Sequence, residues 1–194
     1  MALGGTVRGT KTTLRMPVEA DLDGHQRWAA DLGARRAHSV WHEPAMPATW
    51  KERLAEAAKD KQTLLWSIDG EGTLVGFAVA HLWSLGNAVD INRFLVEPER
   101  WRKGYGFDAA LALHRYFFDY LDLRRVNVDL RADNAAALRI AERLGYVEYA
   151  RGHEAHYRDG SYVDEVKLFV DKEAWQQRFS GEREYPPLPP EAFR

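Results

Sequence analysis

Along the chain the spacing of apolar positions switches repeatedly between a period of two and a period near 3.6, and the switches delimit the elements. Residues 13–16 read as a short strand stopped by Pro17. Residues 20–32 read as a helix, with Leu22, His25, Trp28, Ala29 and Leu32 at helical spacing. Residues 35–46 are irregular, and a second helix carrying Trp50, Leu54 and Ala57 on one face follows, capped near Thr49. Strand patterns then cover 64–68, 74–83 and 89–96, joined by Gly-containing turns at 69–72 and 86–87, which makes an antiparallel meander. Beyond Pro98 the pattern changes to a basic loop at 100–106, an amphipathic helix over 107–121, a strand at 126–130 and a helix at 134–144 closed by Gly145. Two last strands, 146–156 and 162–170, flank Asp159-Gly160.

A meander followed by a βαβ crossover predicts a single α/β (α+β) domain with a mixed, mostly antiparallel central sheet flanked by helices. Its limits are read as 13–175. Residues 1–12 form a flexible N-terminus, and 176–194 form a tail whose four closely spaced prolines preclude regular structure.

Composition narrows the function. Twenty-seven basic against 29 acidic residues leave a formal charge of −2, no footprint for nucleic acid. The absence of cysteine removes disulfides, thiolate metal sites and a cysteine nucleophile. No stretch approaches the ~18 apolar residues of a membrane span, and no signal-peptide pattern opens the chain, so a cytoplasmic protein without a membrane partner is expected. His38, His42 and Glu43 lack further metal ligands at a matching spacing, so no metal is expected. A Gly-x-Ser-x-Gly elbow is missing, which disfavours a serine hydrolase.

The sharpest local signal is the run from Arg93 to Gly106, RFLVEPERWRKGYG. A strand enters a turn with Gly104 and Gly106, and a helix begins at once. Unpartnered N–H groups at a helix start can cradle phosphate oxygens. Gly104 and Gly106 let the backbone approach closely, and Arg102 and Lys103 add positive charge. The spacing fits neither a Rossmann fingerprint nor a P-loop.

This segment resembles the acyl-coenzyme A loop of the GCN5-related N-acetyltransferases (GNAT), particularly the branch of ribosomal-protein alanine acetyltransferases. Asn134-Ala135-Ala136-Ala137-Leu138, Glu142-Arg143-Leu144-Gly145-Tyr146 and the ending from Tyr157 to Asp164 resemble later segments of that branch. The resemblance spans roughly residues 74–170. It implies an N-acetyltransferase taking acetyl-coenzyme A as its acyl donor. Leu95 and Val96 would present backbone groups to the pantetheine arm, and the amides of Arg102, Lys103, Gly104, Tyr105, Gly106 and Phe107 would hold the diphosphate. Asn134 would bond the cofactor arm, as well as capping its helix. Trp41, His42 and Glu43, between the first two helices, would line the acceptor pocket.

Attack of an amine on the thioester requires a neutral amine, an oxyanion donor and stabilisation of the thiolate. Val96 N–H is the expected oxyanion donor. Asp90 is the first candidate base and Glu97 the second. With an unbroken period of two, Asp90, Asn92, Phe94 and Val96 share one face. The positions where the family carries a tyrosine and a serine are Ala141 and Ala137 here, leaving Tyr146, Tyr149, Tyr157 and Tyr162 as substitute proton donors. The acceptor is expected to be a primary amine of a small molecule or of a peptide N-terminus. The alternative is a non-catalytic, regulatory acyl-coenzyme A-binding domain on the same fold. A homodimer is left open, with the tail lying over a neighbouring subunit. Trp28, Trp50, Trp66 and Trp83 are expected in the core.

Overall fold

A computed structural model describes residues 5–31, 33–34 and 47–179 of the chain. These form an eight-stranded sheet in the order β1-β2-β3-β4-β5-β6-β8-β7. The strands are β1 (Val7–Arg8), β2 (Thr12–Arg15), β3 (Thr63–Gly70), β4 (Thr73–Trp83), β5 (Ala88–Val96), β6 (Arg125–Arg131), β7 (Val147–Arg158) and β8 (Ser161–Asp171). The principal helices are α1 (Leu22–Ala30), α2 (Pro47–Lys59), α3 (Tyr105–Arg115), α4 (Ala135–Leu144) and α5 (Lys172–Phe179). Neighbouring strands are antiparallel except β5 and β6, which run parallel across the α3 crossover. The sheet is therefore the mixed, mostly antiparallel one that the pattern of short turns and one crossover implies.

One sheet face packs under α3. Leu64, Trp66 and Ile68 of β3, Ala78 and Ala80 of β4 and Val89 of β5 meet Ala109, Leu113 and Phe117 there. The expected amphipathic helix is in fact buried on almost every side, including His114, which is what an apolar surround produces in a central helix. Its last turn widens into a π-type turn over Tyr116–Tyr120, with Leu121 N–H reaching Tyr116 C=O at 2.9 Å. The opposite face, under α1, holds Trp28, Ala34, Phe77 and Leu95.

The differences from the sequence reading lie mainly at the ends. Val7–Arg8 pair with Thr13 and Leu14, so sheet structure begins before residue 13, and α5 extends past residue 175. Two-residue strands and short polar helices leave too few periods to detect. Helix α3 starts at Tyr105, two residues early. Trp28 and Trp66 are buried as expected, but Trp83, the last residue of β4, is 52% exposed. Trp41, His42, Glu43 and the tail beyond residue 179 lie outside the described residues.

Candidate active site

The site is created by a pairing that stops. Strands β5 and β6 are paired only between Ala88–Asp90 and Arg125–Asn127. Beyond that point they diverge and leave a cleft between them. Ile91, Phe94, Val128 and Leu130 form its strand walls. Ala110 and His114 of α3 and Ala137, Ile140 and Ala141 of α4 contribute the helix side. The lining is largely apolar with polar groups such as Asn134 at the edge, which suits a slender, flexible arm ending in a reactive group.

Backbone direction along β5 decides which groups face this cleft. Glu97 N–H donates to Val75 C=O at 2.8 Å, and the register continues through Gly76–Val96 and Phe77–Leu95. Antiparallel pairs alternate between hydrogen-bonded and non-bonded. Glu97 and Leu95 therefore turn their backbone groups toward β4, while Val96 and Phe94 turn theirs toward the cleft. Leu95 is thus corrected as a source of free backbone groups: its amide and carbonyl face β4 and its side chain is buried beside Phe77. Phe94, which was not among the expected cofactor-binding residues, takes its place. Val96 C=O already accepts the Trp101 indole N–H at 2.6 Å, leaving its N–H toward the cleft.

The same strand contains the feature that breaks the expected shared face. Val79 pairs with Arg93 but Ala80 pairs with Ile91, so Asn92 is the extra residue of a β-bulge. A bulge inverts the alternation beyond it. Asp90 lies opposite His81, on the α1 face with Phe77, whereas Val96 lies on the α3 face. Asp90 is half-buried and accepts from Trp83 Nε1 and from Asn127 Nδ2, both at 2.7 Å. Glu97 lies elsewhere. It is paired with Arg27 at 3.3 Å and Arg100 at 3.4 Å, and it lines a separate depression with Asp23, Arg27 and Glu99 rather than the cleft.

At the end of β5 the loop enters α3. Arg102 (φ 60°) and Gly104 (φ 89°) both adopt left-handed backbone conformations, which only glycine accepts without strain. The amides of Gly104, Tyr105 and Gly106 are left without hydrogen-bond partners among the described residues. These are the free donors at a helix start that bind anions. The loop is braced from below. Tyr105 is buried against Gly70, and Arg100 bridges to Glu71 at 2.8 Å. Hydrogen bonds from Tyr105 and Arg100 hold the Glu71 carboxyl below its usual range. Phe107 packs into the core with the Arg143 guanidinium 3.5 Å from its ring centre.

Asn134 caps α4, its Oδ1 accepting from Ala137 N–H at 3.2 Å, and it lines the cleft. Ala137 and Ala141 line it too, so no hydroxyl enters from those positions of α4. Tyr146 reaches the cleft floor, but its hydroxyl is 2.6 Å from His114 Nε2. His114 Nδ1 lies 2.6 Å from Ala110 C=O. A carbonyl only accepts, so Nδ1 carries the ring proton and Nε2 must accept from Tyr146. Burial pushes the His114 pKa down to about 4 and that of Tyr146 well above 10. The Tyr146 proton is therefore committed to the core. Tyr149, Tyr157 and Tyr162 are exposed on the β7–β8 hairpin and do not line the cleft.

Comparison with known proteins fits this geometry. Residues 11–147 match the family model described as Acetyltransferase (GNAT) domain. The chain belongs to the GNAT acetyltransferase family. It is 26% identical over 132 residues, 66% of this chain and 67% of the other, to a Bacillus subtilis (strain 168) protein named "Putative ribosomal N-acetyltransferase YdaF". The fold matches spermidine N-acetyltransferase from Vibrio cholerae, solved in complex with CoA and spermine, at a TM-score of 0.77 and 19% identity, covering 86% of this chain and 98% of that one. It also matches a GCN5-related N-acetyltransferase from Brucella melitensis at a TM-score of 0.73 and 18% identity, covering 90% and 82%. Membership of this family makes the chain a GNAT acetyltransferase. Among the described residues no helix is long and apolar enough to cross a membrane, and no cluster of three or more metal-ligating side chains occurs.

Proposed function

We propose that the cleft between β5 and β6 receives the pantetheine arm of acetyl-CoA, and that the acceptor amine approaches from the α1 face, where Asp90 stands. The observation that carries this reading is the conjunction of the parted strands with free amides at the start of α3. Acetyl-CoA supplies an activated thioester. The amides of Gly104, Tyr105 and Gly106, with Arg102 and Lys103 beside them, hold its diphosphate, and Asn134 bonds the arm. Phe94 and Val96 bond the arm as an added strand would. Val96 N–H donates to the carbonyl oxygen as negative charge develops there.

Asp90 serves as base or as the group that orients the incoming amine, held in place by Trp83 and Asn127. The family position for a tyrosine acid is Ala141, and the Tyr146 proton is directed into His114. The thiolate therefore leaves without a dedicated tyrosine donor. The acceptor is a primary amine of a small molecule or peptide. Polyamines and ribosomal proteins are the two acceptor classes that the relatives' names suggest. A cytoplasmic location suits a cysteine-free chain.

Incubation with acetyl-CoA and a panel of polyamines, small amines and N-terminal peptides, followed by free-thiol detection, tests the reading. Amine-dependent thiol release is expected for at least one class. Binding of acetyl-CoA with no turnover on any acceptor would favour a non-catalytic, regulatory domain instead.

A further inference from the structure

One buried carboxylate fastens the N-terminal hairpin to the phosphate loop. Asp108, in the first turn of α3, is only 4% exposed. It accepts from the amides of Thr10, Lys11 and Thr12, each at 2.9 Å, and from Thr12 Oγ1 at 2.7 Å. Three successive amides closing on one carboxylate form a tight anion nest. The approach is so close that a Cβ on Gly9 would stand 2.2 Å from Asp108 Oδ2. The partners are nearly a hundred residues apart in sequence, so the contact fixes the hairpin in space rather than shaping it locally.

What this fastening delivers is Lys11. Its ammonium donates to Lys103 C=O at 3.0 Å, and a Cβ placed on Gly104 would lie 3.5 Å from Nζ. An ammonium has three N–H donors, and this bond uses one. The location is electrostatically adverse for a free protein. A cation at a helix N-terminus opposes the helix dipole, and Arg102 and Lys103 belong to the same loop. Asp108 offsets part of that charge, but its oxygens are taken by the hairpin. A bound anion would turn the arrangement from unfavourable to favourable.

We propose that Lys11 is a further binding residue for the phosphoryl groups of coenzyme A, delivered by Asp108 as a positioning residue, so that the hairpin is part of the cofactor site. The inference rests on the acetyl-CoA reading above and adds to it a residue from outside the loop motif.

Calorimetric titration of the wild type, Lys11→Met and Lys11→Arg with coenzyme A and with dephospho-coenzyme A, at low and high salt, tests it. Lys11→Met should weaken coenzyme A binding about tenfold at low salt, with the loss shrinking at high salt. Lys11→Arg should retain most of the affinity. A penalty that persists with dephospho-coenzyme A assigns Lys11 to the diphosphate, and one that vanishes assigns it to the 3′-phosphate; both support the proposal. Binding by Lys11→Met within twofold of wild type, or a loss equal at both salt concentrations, overturns it. Failure of the wild type to bind coenzyme A would instead overturn the acetyl-CoA reading itself.

Discussion

Asp90 and Glu97 are both carboxylates on or next to β5, yet their surroundings separate them. Asp90 holds two neutral donors on the α1 face, the side proposed for the acceptor. Glu97 is fixed between two arginines and lines a different depression. Asp90→Asn should lower kcat/KM by about 100-fold, the low end of general-base contributions, while leaving coenzyme A affinity within twofold. Glu97→Gln should change kcat/KM by less than about threefold. Steady-state kinetics on both variants checks this, and the reverse ranking would exchange their roles. Periodicity alone had put Asp90 on the Val96 face. The bulge at Asn92 was not legible, because a bulge depends on how two strands pair and leaves no reliable mark in one of them.

At the scale of elements, the motif residues were legible because each has a local cause. Gly104 is needed for a left-handed turn, Asn134 for a cap, and Gly145 for the left-handed end of α4. Backbone direction was not legible. That Phe94 rather than Leu95 faces the cleft follows from which residue pairs with β4. The N-terminal hairpin was missed for a similar reason, since its fastening to Asp108 spans nearly the whole length to α3. The dual part given to Asn134 yields a test. Asn134→Ala should cost about 1 kcal/mol of stability through the lost cap and also weaken coenzyme A binding several-fold. A loss of stability in urea unfolding with unchanged affinity would reduce Asn134 to a cap alone.

For the whole molecule, order and type of most elements could be read from the chain because the helices and strands around the core are long enough to show their period. The acceptor side could not be read, since specificity there depends on residues brought together by the fold. Two buried imidazoles also tie global stability to pH. Burial lowers both His25 and His114 from 6.5 to about 4. A base whose folded pKa is depressed is protonated preferentially in the unfolded chain. Its stabilisation is complete above pH 6.5 and is lost progressively as pH falls toward 4. Urea midpoints should therefore already drop between pH 6.5 and 5.5, above the range where most carboxylates titrate, and a flat profile there would show that these rings are not buried neutral.

The chemistry proposed for the cleft depends on where coenzyme A lies. Amide-resolved hydrogen exchange with and without coenzyme A addresses that directly. Slowed exchange at Phe94, Val96, Gly104, Tyr105 and Gly106 together is the expected result. Saturating coenzyme A that leaves these five amides unchanged, or protects a different surface, would contradict it.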